Sequence, residues 1–132
     1  MWLYNNEVVD VIPEKFIGFV YIITNLINNK KYIGKKNFYF SKTKQVKGKK
    51  KRIKVESDWK EYFGSNEELK LEVQKIGSEN FKREMIRMCS SKGEMSYFEL
   101  KEQMIQGVLE TNDFYNTWVS GKIHKKHLTF LK

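Results

Sequence analysis

The chain has 132 residues, 40% of them hydrophobic and 14% aromatic, and a formal net charge of +9. Its length and apolar content exclude wholesale disorder and predict a single domain over residues 1–132. No apolar run approaches the roughly 18 residues that cross a bilayer, and residues 1–10 lack a secretion signal, so we expect an intracellular, cytoplasmic protein without a membrane partner. The single cysteine, Cys89, excludes a disulfide framework, and its apolar neighbours predict a buried thiol.

Residues 1–15 are predicted to form an N-terminal arm. The next segment, residues 18–25, is rich in β-branched and aromatic residues and predicts a buried strand. A turn at Asn28 and Asn29 leads into a second short strand over residues 31–34. These two strands are interpreted as an antiparallel hairpin.

The positive charge is concentrated just after this hairpin. Residues 30–60 hold 13 Lys/Arg and 2 Asp/Glu, a net +11, whereas the rest of the chain holds 12 basic and 14 acidic residues, a net −2. A local cationic field attracts polyanions, so this stretch favours nucleic-acid binding. The alternative interpretation is a solvated loop. Residues 38–57 form its basic insert, predicted as a hairpin or a mobile loop.

Helical signals dominate the second half of the chain. Asp58 is predicted to cap a short helix over residues 59–63, and a second helix is predicted to start at Ser65 and to end at Gly77. Residues 81–88 alternate apolar and charged side chains, which predicts a third strand. A long helix is then expected from Ser90 or Ser91 to about Leu109, followed by a basic tail over residues 117–132.

The predicted element order is strand, strand, basic insert, helix, helix, strand, helix. We therefore expect an α+β fold, in which helices flank a small three-stranded, mainly antiparallel sheet.

The first hairpin carries a recognisable motif. Gly-Phe-Val-Tyr at residues 18–21 is followed by Tyr-Ile-Gly at residues 32–34, and Tyr21 and Tyr32 lie on strands that face each other across a tight turn. The segment resembles the signature of GIY-YIG nucleases, and the resemblance continues over roughly residues 16–118. The chain looks closest to small free-standing phage homing-type endonucleases, which implies the host cytoplasm as its location if it is phage-encoded.

The resemblance implies a catalytic glutamate in the helix after the third strand. That helix offers four candidates, and Glu99, which follows an apolar and aromatic run, is favoured over Glu102 as catalytic residue and metal ligand. The two lie three residues apart on one helix face, so the choice depends on helix rotation. The four candidates are Glu94, Glu99, Glu102 and Glu110.

The same resemblance implies one Mg²⁺ or Mn²⁺ ion held by Glu99, with no small-molecule cofactor. One carboxylate, several waters and a substrate phosphate are a typical magnesium environment. Tyr21 would act as the general base or position the water, supported by Tyr32. A phenol has an ordinary pKa of about 10, so a basic Tyr21 requires a lowered pKa. The lysines that flank the hairpin could lower it: Lys30, Lys31, Lys35 and Lys36.

The chain departs from the family pattern in one respect. Family members carry an arginine on the helix after the second motif strand, and no arginine matches it here; the candidates to replace it are Lys35, Lys36, Arg52 and Lys60. Gly34 and Asn116, the latter from a Tyr-Asn pair, are expected to support the site. The expected nucleic-acid contacts are Lys31, Lys35, Lys36, Lys49, Lys50, Lys51, Arg52, Lys60 and Ser65.

Three functional hypotheses follow. The first is a metal-dependent, homing-type endonuclease that cleaves double-stranded DNA. The missing arginine motivates the second, a catalytically weak or inactive nucleic-acid-binding module on the same scaffold. The third is a basic structural or accessory protein. Oligomeric state, monomer or dimer, stays open.

Overall fold

The structure, a computed structural model, describes residues 1–131 and the side chains of residues 1–128. Its strands are β1 (Trp2–Tyr4), β2 (Glu7–Val9), β3 (Gly18–Asn25), β4 (Lys31–Asn37), β5 (Tyr39–Val46), β6 (Lys49–Glu56) and β7 (Phe81–Cys89). The α-helices are α1 (Glu67–Ile76) and α2 (Lys92–Ile105), with 3₁₀ turns at Trp59–Glu61, Ser78–Asn80 and Lys125–Leu131. Within the described residues, no helix has the length and apolar character needed to cross a bilayer.

The main sheet confirms the predicted α+β class but is larger than expected. Its five strands run in the order β2-β1-β7-β3-β4, with the predicted trio β7, β3 and β4 paired antiparallel. The prediction of three strands is wrong because the N-terminal arm forms a hairpin, and β1 pairs in parallel with β7. Asn5 and Asn6 close this hairpin with φ angles of 51° and 66°, which asparagine tolerates better than most residues.

β3 runs through the middle of the core. Seven of its eight residues are buried, because the sheet is covered on both faces. One face packs Phe19 and Tyr21 against Trp2 and Trp59. The other face packs under α2 and contains Cys89, whose thiol is buried as predicted and whose pKa is raised by burial to about 12.

A bulge in β7 lies beside the first motif tyrosine. Val20 pairs with Arg87 and Tyr21 pairs with Met85, so Ile86 has no direct partner on β3. Side chains alternate along a strand, and the extra residue therefore resets which β7 side chains face Tyr21. As a result, Met85 packs with Tyr21 in the same buried cluster.

The segment after β6 differs from the predicted short helix. It forms only one 3₁₀ turn, Trp59–Glu61, and Asp58 gives no side-chain cap. Instead, the Ser57 hydroxyl accepts a hydrogen bond from the backbone N–H of Trp59 at 3.2 Å. The Asp58 carboxylate lies 2.6 Å from the Lys36 ammonium, which is a stronger partner than a backbone N–H.

Arg83 fastens this segment to the sheet. Its buried guanidinium donates hydrogen bonds to the carbonyls of Lys60 at 3.0 Å and Tyr62 at 2.7 Å. It also lies over the rings of Trp2 and Phe63, at 4.8 and 4.1 Å from their centres. Burial lowers the pKa of Arg83 to about 10. The β7 strand thus supports the segment that packs behind Tyr21.

Helix α1 begins at Glu67, two residues after the predicted start at Ser65. Asn66, rather than Ser65, is the N-cap, and its side chain accepts a hydrogen bond from the backbone N–H of Leu69 at 2.9 Å. The predicted end at Gly77 is confirmed, where a φ of 96° favours glycine. Ser65 is consequently free of the capping role.

Helix α2 begins as predicted and ends early. The Ser91 hydroxyl caps it by accepting from the backbone N–H of Glu94 at 3.1 Å. The helix stops at Ile105, not near Leu109, because the chain turns at Gly107 with a φ of 61°.

The N-terminal hairpin should contribute strongly to stability. Trp2 is 1% exposed, and its indole N–H donates to the Trp59 carbonyl at 2.6 Å. We expect Trp2→Ala to lower the free energy of unfolding by about 3–5 kcal/mol in urea titrations, as for other buried tryptophans. The control Val8→Ala, on the exposed part of the hairpin, should change it by less than about 0.5 kcal/mol. If both substitutions change the free energy of unfolding by the same small amount, the hairpin does not contribute to the stability of the core.

Candidate active site

The site begins with a cross-strand contact between Tyr21 and Gly34. These residues pair directly across β3 and β4, and β4 is the edge strand of the sheet. A Cβ atom built on Gly34 would lie 2.5 Å from the Tyr21 hydroxyl oxygen and 2.7 Å from its Cζ. The end of the Tyr21 ring therefore lies over the bare backbone of Gly34 and reaches the sheet edge.

A cavity of about 360 Å³ opens at this edge. Tyr21 and Tyr32 reach it from the sheet, and Glu99 reaches it from α2, so the three predicted catalytic residues share one cavity. Such a volume falls within the range of ligand sites. The cavity is lined by Tyr21, Tyr32, Lys35, Ser65, Asn66, Glu99, Gln103, Asn116, Thr117, Trp118, Val119 and Ser120.

The geometry separates the two candidate glutamates. Glu99 has a side chain that is 15% exposed and lies 3.9 Å from the Lys35 ammonium. Burial raises the pKa of Glu99 above its ordinary value, and the charge of Lys35 offsets this only in part. Glu102 does not line the cavity, and its carboxylate accepts a hydrogen bond from Gln106 at 3.1 Å. Of these two glutamates, Glu99 is therefore the one on the side of α2 that faces Tyr21 and Tyr32.

The protonation of Tyr21 differs from the prediction. Tyr21 is 1% exposed, and burial raises its pKa well above 10, with further contributions from Tyr62, Tyr32 and Glu99. The expected lowering of the pKa by neighbouring lysines is therefore wrong for the free protein, in which Tyr21 keeps its proton at neutral pH.

The flanking lysines do not lower this pKa because they face other groups. Each ammonium is hydrogen-bonded to another group. The pairs are Lys30 with Glu68 at 2.9 Å, Lys31 with the Asn29 carbonyl at 3.3 Å, Lys35 with Ser96 at 2.9 Å and Lys36 with Asp58 at 2.6 Å.

Tyr32 is the more accessible of the two motif tyrosines. Its hydroxyl lies 3.0 Å from the Ser65 hydroxyl, and its ring centre is 6.2 Å from that of Tyr21. Burial raises the pKa of Tyr32, and the Ser65 hydrogen bond opposes that rise. Ser65 therefore belongs to the cavity through its side chain, not through a helix N-terminus.

The open edge of β4 is closed by side-chain amides. The Asn116 amide accepts from the backbone N–H of Ile33 at 3.0 Å and donates to its carbonyl at 2.9 Å. Gln103 donates to the same carbonyl at 3.0 Å. Asn116 thus holds the backbone of β4 beside the cavity, and Gln103, which the sequence analysis did not name, does the same. Its sequence signal is its position one helical turn after Glu99.

The residue before Asn116 extends this closure. The backbone N–H of Tyr115 donates to the Lys31 carbonyl at 2.7 Å, and its hydroxyl accepts from Asn25 at 3.0 Å. The Tyr115 carbonyl accepts from the Asn66 amide at 2.9 Å. Segment 113–116 therefore ties β4 to the start of α1. Its role and that of Asn66 were not anticipated from local sequence.

The predicted nucleic-acid contacts do not form one cluster. Lys35 is the one cation among the described residues that line the cavity, and its side chain is 41% exposed. The Lys36 side chain is largely buried against Asp58 and the ring of Tyr62. Lys60 lies near Trp2, away from the cavity. Lys31 lies in β4 and Ser65 lines the cavity, whereas four others occupy the β5–β6 hairpin: Lys49, Lys50, Lys51 and Arg52.

The Gly34 contact can be tested with a double-mutant cycle. Gly34→Ala should lower the free energy of unfolding by about 1–3 kcal/mol, because the added methyl group meets the Tyr21 hydroxyl. In a Tyr21→Phe background the same change should cost less, since that oxygen is gone. Urea titrations of the four proteins measure both costs. Equal costs in the two backgrounds would contradict the contact.

Comparisons with known proteins agree with this geometry. The family model described as "Putative endonuclease segE, GIY-YIG domain" matches residues 2–119, which includes β1 to β7, α2 and the segment that closes the β4 edge. No curated protein and no solved structure matches the chain. The family match covers most of the chain and contains every residue of the cavity except Ser120. The chain therefore belongs to the GIY-YIG endonuclease family.

Proposed function

We propose that this chain hydrolyses phosphodiester bonds of double-stranded DNA with the help of one Mg²⁺ or Mn²⁺ ion. The observation that carries the proposal is the convergence of Tyr21, Tyr32 and Glu99 on one cavity of about 360 Å³. Two phenols, a carboxylate and the ammonium of Lys35 offer the hydrogen bonds, the metal ligand and the positive charge that this hydrolysis needs.

The donor set fits a hard divalent cation. Glu99 is the one carboxylate among the described cavity residues, and its raised pKa reflects a burial that a divalent cation would compensate. No group of three or more His, Cys, Asp or Glu side chains could hold an ion within residues 1–131. One carboxylate completed by waters and phosphate oxygens suits Mg²⁺. When bound, the ion offsets charge on the phosphoryl oxygens.

Tyr21 is better suited to positioning than to accepting a proton. Its pKa is raised by burial, so its phenol keeps a proton with which to donate a hydrogen bond at neutral pH. The phenol would orient the attacking water or a phosphate oxygen. Tyr32, linked to Ser65 at 3.0 Å, would hold the other side of the phosphate.

Lys35 takes the place of the missing arginine in this proposal. Of the four cations considered for that role, it alone lines the cavity. Its ammonium lies 2.9 Å from the Ser96 hydroxyl and 3.9 Å from Glu99, so it is held at the cavity mouth. A lysine gives a point charge without the two-pronged geometry of arginine, which is expected to make the enzyme slower than one with an arginine here.

The absence of arginine among the described cavity residues also favours a second candidate, a DNA-binding module without cleavage. Supercoiled plasmid incubated with the protein and Mg²⁺ separates the two. The proposal expects nicked and linear products with Mg²⁺ and none with EDTA. Salt-sensitive binding with no product in either condition would support the module instead.

The Glu99 assignment makes a paired prediction. Glu99→Gln should abolish plasmid cleavage and leave DNA affinity unchanged, because affinity comes from basic side chains that bind the DNA phosphates and not from this carboxylate. The matched control Glu102→Gln, three residues away and outside the cavity, should cut normally. Normal cutting by Glu99→Gln, with loss in Glu102→Gln, would move the site by one turn.

The raised pKa of Glu99 adds a stability readout to the same variant. The folded protein holds this proton more tightly than the unfolded chain does. The associated stabilisation is present at low pH and is lost as pH rises through the raised pKa. At pH 7 Glu99→Gln should therefore melt at the same temperature as the wild type or higher.

Tyr21→Phe tests the role of the phenol. We expect cleavage to slow by roughly 10²- to 10⁴-fold, with unchanged DNA affinity. Tyr97→Phe, on α2 outside the cavity lining, is the control and should cut at the wild-type rate. The wild-type pH profile separates the two roles of Tyr21. A rate that climbs tenfold per pH unit up to the titration of a phenol, lost in Tyr21→Phe, would restore the general-base role.

A further inference from the structure

The β5–β6 hairpin, Tyr39–Glu56, forms a two-stranded sheet of its own, which we call the basic ribbon. Its strands pair in register from Tyr39 with Glu56 to Val46 with Lys49. Lys47 and Gly48 close it with φ angles of 50° and 78°. The ribbon holds eight Lys/Arg and one Glu, a net charge of +7. The prediction of a hairpin in this insert is confirmed.

The two faces of the basic ribbon have different chemistry. Residues that pair across an antiparallel ladder point to the same side, and successive residues alternate. Face one carries hydroxyl, amide, guanidinium and ammonium groups beyond its root: Ser41, Thr43, Gln45, Lys50, Arg52 and Lys54. Face two combines lysines with apolar side chains: Phe40, Lys42, Lys44, Val46, Lys49, Lys51, Ile53 and Val55.

Face two turns toward the protein at its root. Ile53 and Val55 are partly buried there, and the Lys36 ammonium lies 4.9 Å from the centre of the Phe40 ring. Face one is exposed at every position beyond Tyr39. At its root, Arg52 and Lys54 share a cleft of about 370 Å³ with Lys92 of α2.

Within the described residues, the polar side chains of face one beyond its root are unpaired except Lys54, whose ammonium lies 5.7 Å from the centre of the Tyr39 ring. Within the described part of the chain, no hydrogen bond or ion pair engages the side chains of Ser41, Thr43, Gln45, Lys50 or Arg52. On face two, Lys44 and Lys51 lie directly opposite each other, and like charges in such pairs destabilise a ladder. The ribbon thus has charges and donors that a polyanionic partner would satisfy.

We propose that the basic ribbon lies in the major groove of duplex DNA, with face one toward the base edges, and so determines sequence preference. A two-stranded ribbon fits the major groove of B-form DNA, and β-ribbon readers use it in this way. Face one carries the side-chain types that read bases there: arginine and lysine for guanine, glutamine for adenine, serine and threonine for either. This inference rests on duplex DNA as the substrate.

Face two supplies affinity without sequence information. Its hydrogen-bonding side chains are lysines alone. With face one toward the base edges, these lysines point away from the bases and would contact phosphates, which carry no sequence information. Each phosphate contact adds about 0.9 to the slope of affinity against salt on a double-logarithmic scale. Removing lysines from face two should flatten that slope and leave the preferred sequence unchanged.

The test compares two triple variants on one DNA pool. The pool is duplex DNA with a randomised central segment, bound in EDTA so that no cleavage occurs, and the bound fraction is sequenced. Wild type should enrich a defined sequence. Thr43→Ala/Gln45→Ala/Arg52→Ala should lose roughly 10- to 100-fold of the preference at each base that it read. The control Lys42→Ala/Lys44→Ala/Lys51→Ala should bind more weakly yet enrich the wild-type sequence.

A single conservative variant tests the proposal without the risk that several substitutions disturb the fold of the ribbon. Arg52→Lys keeps the charge but loses the two-pronged geometry that matches guanine, so it should change preference at one base with an unchanged salt slope. No enrichment by the wild type, an unchanged sequence in the face-one variants, or a changed sequence in the face-two variant would overturn the proposal. Enrichment without cleavage in Mg²⁺ would instead overturn only the proposed nuclease function.

Discussion

The cavity depends on the contact of one phenol with one bare backbone. Tyr21 sits on the buried strand β3, next to the edge strand β4, and its hydroxyl reaches the sheet edge only because Gly34 on β4 has no side chain in its path. Glu99 arrives from α2, which packs against β3 and β4. The edge of β4 is then closed by the amides of Asn116 and Gln103. Each of these elements brings a group to the same opening.

The burial that positions these groups also determines their charge. The pKa values of Tyr21 and Glu99 are both raised, mainly by desolvation. The described cavity has a single cation, Lys35, at its mouth. The charge of Lys35, 3.9 Å from Glu99, offsets the burial of this carboxylate only in part, so Glu99 would still gain from a divalent cation. This is the electrostatic basis of the proposed metal dependence.

Local signals predicted much of the fold, and non-local contacts account for the differences. The strand β3, the helix cap at Ser91 and the basic ribbon follow from composition, spacing and turn residues. The pairing of the N-terminal arm with β7 joins residues about 80 positions apart, which no local pattern reveals. The choice between Glu99 and Glu102 depends on how α2 is rotated about its axis, which only the structure shows. The sequence could not predict that Tyr21 keeps its proton, because that depends on how deeply the phenol is buried. Nor could it predict the hydrogen bond from Gln103 to the Ile33 carbonyl, because the two residues are 70 positions apart.

The proposal that the tyrosines and Glu99 converge on one cavity that binds a metal ion is tested most directly by Mn²⁺, whose unpaired electrons broaden nearby NMR signals. Titration of the wild-type protein with Mn²⁺ should broaden the ring resonances of Tyr21 and Tyr32 first, and Glu99→Gln should remove this effect. Tyrosine rings that stay sharp while signals elsewhere broaden, or an unchanged response in Glu99→Gln, would contradict the account.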